Sequence, residues 1–402
     1  VAVPPLDGDP LPLLPLDPER KGAVTLGYRH GRLEPNDVCL FLSREAFDPM
    51  NEPSPHPPRR VENALVLCGG GLTGAFYEIG ALCAIAEEGV PFRPQDAQVL
   101  VGTSAGAFVA GVLAAGMSLE RLRGSVLGEP GTIPLRRRDF YHLEPGRAAS
   151  LFLRALGVGT SYLTRITRRK VVEGTGTFET LANSRESLPS GLFRTTDYLR
   201  FVETVFRAEG LPTTFGAIPR TLFVTATDLD TGERVVFGPQ TPSVSIPAAV
   251  VASGAIPMFY EPFWLGGRYL IDGESTEVAH IDLALALGAR RVLVLNPKVP
   301  VHLDPAARRR AADGSGRVDR GGFFAILDQS NRLTARVRLH HELEYANASH
   351  PETEILLHQP EEAEAMPFLY NPMTFSAKDQ VFRYGYESTR ARIRSGRLGR
   401  RA

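Results

Sequence analysis

Gly102-Thr103-Ser104-Ala105-Gly106 is a G-x-S-x-G set between an apolar run and a helical pattern of small residues. That order builds a nucleophile elbow, a sharp strand-to-helix turn that lifts a serine hydroxyl clear of a sheet. Only small neighbours let a backbone fold so tightly, and Gly102, Ala105 and Gly106 supply them. The turn would expose Ser104 Oγ and aim the first amides of the next helix at whatever lies beside it, where negative charge is favoured. An exposed serine then needs a base to take its proton and donors for an oxyanion.

For the donors, Gly69-Gly70-Gly71-Leu72-Thr73-Gly74 follows a continuous apolar run, Ala64 to Cys68. Consecutive glycines let successive amides point into one concavity, and loss of one such donor costs about 2.7 to 4 kcal/mol of transition-state stabilisation. Gly69, Gly70 and Gly71 are the candidate oxyanion hole, with the amides of Gly70 and Gly71 the leading pair and Gly74 closing the loop. The same residues fit G-x-G-x-x-G, the dinucleotide fingerprint. That reading wants an acidic residue at the end of the next strand, whereas Asp96 precedes the strand predicted over Ala97 to Val101.

For the base, Asp272 ends a predicted strand, Arg268 to Ile271, and is followed by Gly273, which would let the carboxylate approach a neighbouring loop. Ligands of open α/β sheets bind at such strand ends. An Asp before a Gly is equally a turn former. A conventional triad has the chain order Ser, Asp, His, which Ser104, Asp272 and His280 could meet.

These groups need elements to hold them. Strand, glycine loop and helix to Glu88 form the opening of an α/β unit, and a second unit follows around Ser104. Leu119 to Pro219 reads as a helical insertion or cap without an obvious buried strand. Within it, Arg147 to Lys170 mixes Leu151, Phe152, Leu156 and Tyr162 with Arg154, Arg165 and Lys170, either an interfacial helix or a packed helix pair with a basic edge. Strands resume at Thr221 to Thr227 and Arg234 to Phe237, and a small-residue helix is predicted over Ser245 to Gly254. A helix over Asp282 to Leu287 and a strand over Val292 to Leu295 close the α/β region. Beyond a charged loop, His302 to Arg320, come a helix near Phe323 to Asn347, a strand Glu354 to Leu357, a helix Ser376 to Arg394 and a basic tail ending at Arg400 and Arg401.

At 402 residues the chain suffices for one large core or two modest ones. Its 45 basic and 45 acidic residues balance, so no global field favours nucleic acid. Lysine occurs only at Lys21, Lys170, Lys298 and Lys378, the other basic residues being arginine. Cys39, Cys68 and Cys83 make no paired framework, which suits buried thiols. Residues 1–60 carry 12 of the 32 prolines and read as an extended N-terminal region, with short strands at Ala23 to Tyr28 and Asp37 to Leu42. No signal peptide and no apolar run of spanning length is visible, so a cytoplasmic location is expected and any membrane contact should be peripheral.

Taken together, GGGLTG, GTSAG, ATDLDTGE, ASGAIP and the DG at Asp272, in this order and spacing, resemble the patatin-like phospholipase family over roughly Val61 to Pro300. The resemblance implies a three-layer α/β/α sandwich around a mainly parallel sheet, with the helical insertion at 119–219 and a C-terminal helical extension over 301–402. It also implies a Ser104-Asp272 dyad without histidine, the glycine loop as oxyanion hole, a lipid or lysolipid substrate, and no metal or other cofactor. Two positions depart from the family pattern: Thr73 stands where Lys or Arg is common, and Glu274 where Gly or Ala usually follows DG. If Glu274 points inward it should raise the pKa of Asp272. These departures leave room for a non-catalytic lipid-binding or regulatory module of the same fold.

Overall fold

The computed structural model describes residues 61–140, 190–301, 322–361 and 375–398, all within one unit, Arg59–Ala402. The N-terminal region, the segment Arg147 to Lys170 and the loop His302 to Arg320 lie outside the described residues.

The first strand, β1 (Asn63–Leu67), is apolar at nearly every position because both of its faces are covered. Its side chains alternate: Leu65 and Leu67 enter one core, Ala64 and Val66 the other. β2 (Val99–Thr103) and β9 (Arg291–Leu295) repeat the division, with Leu on the first side and Val on the second. Both pair in parallel with β1. β4 (Thr221–Asp228) pairs in parallel with β2, and β10 (Glu354–His358) with β9. The other side of β4 turns antiparallel, through β5 (Arg234–Phe237) and β8 (Arg268–Asp272), with β7 (Phe263–Leu265) at the edge. The sheet order is β10-β9-β1-β2-β4-β8-β7, with β5 paired to β4 off this path.

Helices cover both faces. On the Leu side lie α1 (Gly71–Glu88), α2 (Ala105–Ala114) and α6 (Ile246–Ser253). α3 (Leu119–Leu127), α4 (Arg137–Phe140) and α5 (Thr195–Ala208) extend that layer, and α9 (Lys378–Arg394) packs along α1. The α1–α9 crossing is backbone to backbone, since a Cβ on Gly80 would strike the Phe382 carbonyl and one on Gly385 the Tyr77 carbonyl. The Val side is covered by α7 (Asp282–Leu285) and the long α8 (Gly322–Ser349), which buries Ala335, Leu339, Leu343 and Ala346. This is the expected α/β/α layering around a mainly parallel sheet.

The insertion departs from expectation in one respect. β3 (Gly191–Phe193) is a short strand paired in parallel with β6 (Met258–Tyr260). Three-residue strands are too short to show a two-residue period, and Pro262 separates β6 from β7, a strand equally unmarked in the sequence. α5 behaves as its spacing suggests, burying Tyr198, Phe201, Val202, Val205 and Phe206 on one face.

Candidate active site

Ser104 sits between β2 and α2 with φ 55° and ψ −120°, a region that side chains larger than glycine avoid. Two contacts hold it there. Its own N–H donates to Ser253 Oγ at 2.7 Å, and Gly106 lies so close to β1 that a Cβ would run into the Leu67 carbonyl. Gly102 is similarly tight, since a Cβ there would lie 2.6 Å from Ala107 Cα. Strain of this kind costs about 1–3 kcal/mol and persists only where the surroundings over-determine it.

The sheet brings Asp272 to this serine. Thr103, the residue before Ser104, pairs with Thr225 on β4, and the next residue along β4 closes the gap: Ala226 pairs with Asp272 on β8. One strand therefore separates two side chains that are remote in sequence. The Ser104 side chain lies close enough to the Asp272 carboxyl to lower its pKa, and Asp272 Oδ1 accepts the Glu274 N–H at 2.9 Å. Thr227 Oγ1 donates to the Asp272 carbonyl, and Gly273 lies flush against Thr225, where a Cβ would clash with its carbonyl. Burial, reinforced by the neighbouring Glu274 charge, pushes the Asp272 carboxyl up to about 7; the Ser104 side chain, the Glu274 N–H and Lys298 oppose that rise.

Glu274 does point inward. Its carboxylate is paired with Lys298 Nζ at 2.8 Å, and a Cβ on Gly69 would meet Glu274 Oε2 at 2.5 Å and Ser104 Cβ at 3.2 Å. Gly69 thus keeps a gap open between the serine and the second carboxylate. Of the other loop glycines, Gly70 and Gly74 back onto Pro297, while Gly71 and Leu72 line a cleft together with Ser104 and Ala105. α1 starts here with no side-chain cap and no acidic residue in its first turn, so its positive end is left to the cleft. Thr73 is buried, its hydroxyl directed at the Gly70 carbonyl at 3.4 Å.

The cleft holds a cavity of about 40 Å³ and is almost wholly apolar. Phe76, Ile79, Phe108 and Leu135 line it, together with Phe140 and Tyr198 from the insertion and Tyr260 from β6. Phe140 packs 4.7 Å from Phe201, Tyr198 stacks 5.6 Å from Tyr260, and the Tyr260 hydroxyl donates to the Phe140 carbonyl.

His280 is not part of this arrangement. It is buried, its Nδ1 faces Glu277 at 3.2 Å and Arg234 at 3.4 Å, and its Nε2 has no partner among the described residues. Neither ring nitrogen reaches Ser104 or Asp272, which corrects the triad alternative. Asp96 lies in a 3-10 turn, Pro94–Asp96, ahead of β2, so the acidic position of a dinucleotide site is unfilled. The described residues contain no cluster of three metal-ligating side chains. No helix among them is long and apolar enough to cross a membrane. The basic tail is largely paired: Arg390 and Arg394 meet Glu88, and Arg392 and Arg397 meet Glu361. Ser253, Lys298 and the α8 residues Arg338 and Glu342 are not marked as site residues by the sequence, because their partners are distant in the chain and no local pattern points to them.

No curated protein matches this sequence. Among solved structures, the chain is similar to VipD from Legionella pneumophila at 14% identity, covering 84% of this chain and 67% of VipD with a TM-score of 0.35. It is similar to the type III effector ExoU of Pseudomonas aeruginosa at 16% identity, covering 85% and 54% with a TM-score of 0.36. Human GIVD cytosolic phospholipase A2 matches at 12% identity, 83% and 58%, with a TM-score of 0.26. The chain thus spans between about half and two thirds of the length of these proteins. The patatin-like phospholipase profile matches residues 65–129 and 149–284, half of the sequence, and the chain belongs to the patatin-like phospholipase family.

Proposed function

We propose that this protein hydrolyses carboxylic esters of lipids through a Ser104-Asp272 dyad. One observation carries the reading: a serine held at a positive-φ turn, one strand away from a buried carboxyl whose pKa its side chain lowers, at the end of an apolar cleft beside an uncapped helix start. Ser104 Oγ attacks the ester carbonyl while Asp272 takes its proton. The oxyanion forms beside the glycine loop, where the amides of Gly70 and Gly71 are the proposed donors, with Gly69 shaping the loop. Asp272 returns the proton to the departing alcohol, leaving an acyl-Ser104. It then draws a proton from water, which attacks the acyl carbonyl, and passes that proton to Ser104 Oγ as the acid leaves.

The apolar cleft suits an acyl chain, whose methylenes each favour leaving water by about 0.8 kcal/mol. A lipid or lysolipid with its ester at Ser104 and its chain against Phe76, Phe108 and Leu135 is the proposed substrate, met at a membrane surface by peripheral contact. The test is a digest of a mixed phospholipid extract by wild type and Ser104→Ala. Free fatty acid released by wild type and not by Ser104→Ala supports the reading. Equal release by both refutes it and favours a lipid-binding module.

A further inference from the structure

Helix α8 begins beyond the residues matched by the family profile, yet it grips the segment that follows Asp272 at both ends. Arg338 Nη1 donates to three successive carbonyls, Glu274 at 2.6 Å, Ser275 at 3.1 Å and Thr276 at 3.2 Å. One turn further along the helix, the Glu342 carboxylate accepts three successive amides, Val278 at 2.5 Å, Ala279 at 2.9 Å and His280 at 3.1 Å. We infer that Arg338 and Glu342 are positioning residues for Asp272, a pair of opposite charges on one helix that fixes the loop supplying its hydrogen-bond donor. The inference rests on the dyad reading above.

The charges are matched to the backbone they meet. Gly273–Ser275 is a 3-10 turn whose carbonyl end is negative, and Arg338 caps it. The amides from Val278 to His280 lead into α7, and an anion there satisfies donors that the short helix cannot. Residues four apart lie on the same helix face, so both charges point at the loop together. α8 is itself seated on the sheet through Ala335, Leu339, Leu343 and Ala346, which makes it a rigid mount.

The link to the chemistry runs through Glu274. Its carbonyl is held by Arg338, its carboxylate by Lys298, and its N–H is the donor to Asp272 Oδ1. Release of the carbonyl frees the turn through Glu274 to shift as a whole, and the carboxyl then loses the donor that fixes its rotation. Arg338 has no carboxylate partner among the described residues, and its Nε is buried without a partner, so its interactions are spent on this loop. A displacement of about 1 Å at a reacting group can cost about 100-fold in rate.

The experiment compares Arg338→Ala, Arg338→Lys, Glu342→Ala and Glu342→Gln in the full chain on a soluble short-chain ester. Tyr345→Ala, an exposed position on the same helix, is the control. The expected result for Arg338→Ala and Glu342→Ala is a kcat loss of between about 10-fold and 100-fold with KM little changed. The pH midpoint of kcat/KM should rise in Arg338→Ala, because the lost Glu274 N–H bond lowers the Asp272 pKa. Arg338→Lys, which keeps the charge on a shorter side chain, and Glu342→Gln should recover part of kcat. If either alanine variant fails to fold, its conservative partner decides, by lowered kcat at wild-type Tm. Wild-type kcat and pH midpoint in folded Arg338 and Glu342 variants, alongside wild-type turnover that Ser104→Ala abolishes, overturn the inference and leave the dyad standing. Turnover that survives Ser104→Ala instead overturns the dyad.

Discussion

Between pH 6 and pH 8, kcat/KM for a soluble ester should rise about tenfold, because the base must be ionised and Asp272 is held at about 7. A group with that pKa is about one-eleventh ionised at pH 6 and about ten-elevenths at pH 8, whereas a carboxyl at its ordinary 3.8 is ionised throughout. The cause of the shift can be taken apart. Glu274→Gln removes a charge that raises the Asp272 pKa and leaves Lys298 to favour the carboxylate, so the midpoint should fall. Lys298→Met leaves Glu274 uncompensated, so the midpoint should rise. Each unit of displacement corresponds to about 1.36 kcal/mol. Stability should move in the opposite sense to activity. A carboxyl whose folded pKa is raised favours the folded state below its unfolded value of 3.8, and that contribution is lost as pH rises through about 7. Asp272→Asn should therefore flatten a decline of Tm between about pH 4 and pH 7. The assay is kcat/KM across this pH range for wild type and both variants, since that ratio reports ionisations of the free enzyme. A flat wild-type profile, or variants that shift the midpoint the same way, would refute the reasoning.

Further outcomes follow from single contacts. Ser253→Ala leaves the buried Ser104 N–H without its acceptor and should destabilise by about 1–3 kcal/mol and lower kcat, seen by thermal melting and ester turnover. Gly69→Ala puts a methyl 2.5 Å from Glu274 Oε2 and should lower turnover far more than Tm, since the far end of a side chain can give way but the gap beside Ser104 cannot stay open. Gly385→Val forces α9 off the Tyr77 carbonyl and should lower Tm sharply, while Arg397→Ala, at an exposed ion pair, should leave the unfolding free energy within about 0.5 kcal/mol of wild type. His280→Ala should keep esterase turnover per folded molecule, measured beside a melting curve that records its structural cost.

The elbow was legible because its physics is local. Gly102, Ala105 and Gly106 are small where the backbone of α2 must meet β1, and the strand before them is apolar on both faces. The apolar runs of β1, β2, β4 and β9 marked the sheet for the same reason, within a residue or two at each end. Asp272 was legible only jointly with other motifs, since Asp before Gly marks turns as readily as active sites. The strands β3, β6 and β7 were missed because three residues carry no period. Glu274 could be flagged as unusual, but its inward direction depends on Lys298, and the order of the loop depends on Arg338 and Glu342. Those contacts are made by long, flexible side chains across more than one element, where sequence spacing says nothing about who meets whom.

The most direct test of the central claim is covalent labelling with an alkyl fluorophosphonate, followed by peptide mapping of the modified residue. The account predicts one phosphonyl adduct, on Ser104, absent in Ser104→Ala and formed much more slowly in Asp272→Asn. An unlabelled Ser104 in folded protein exposed to the reagent, or labelling at a different serine with loss of turnover, would contradict it.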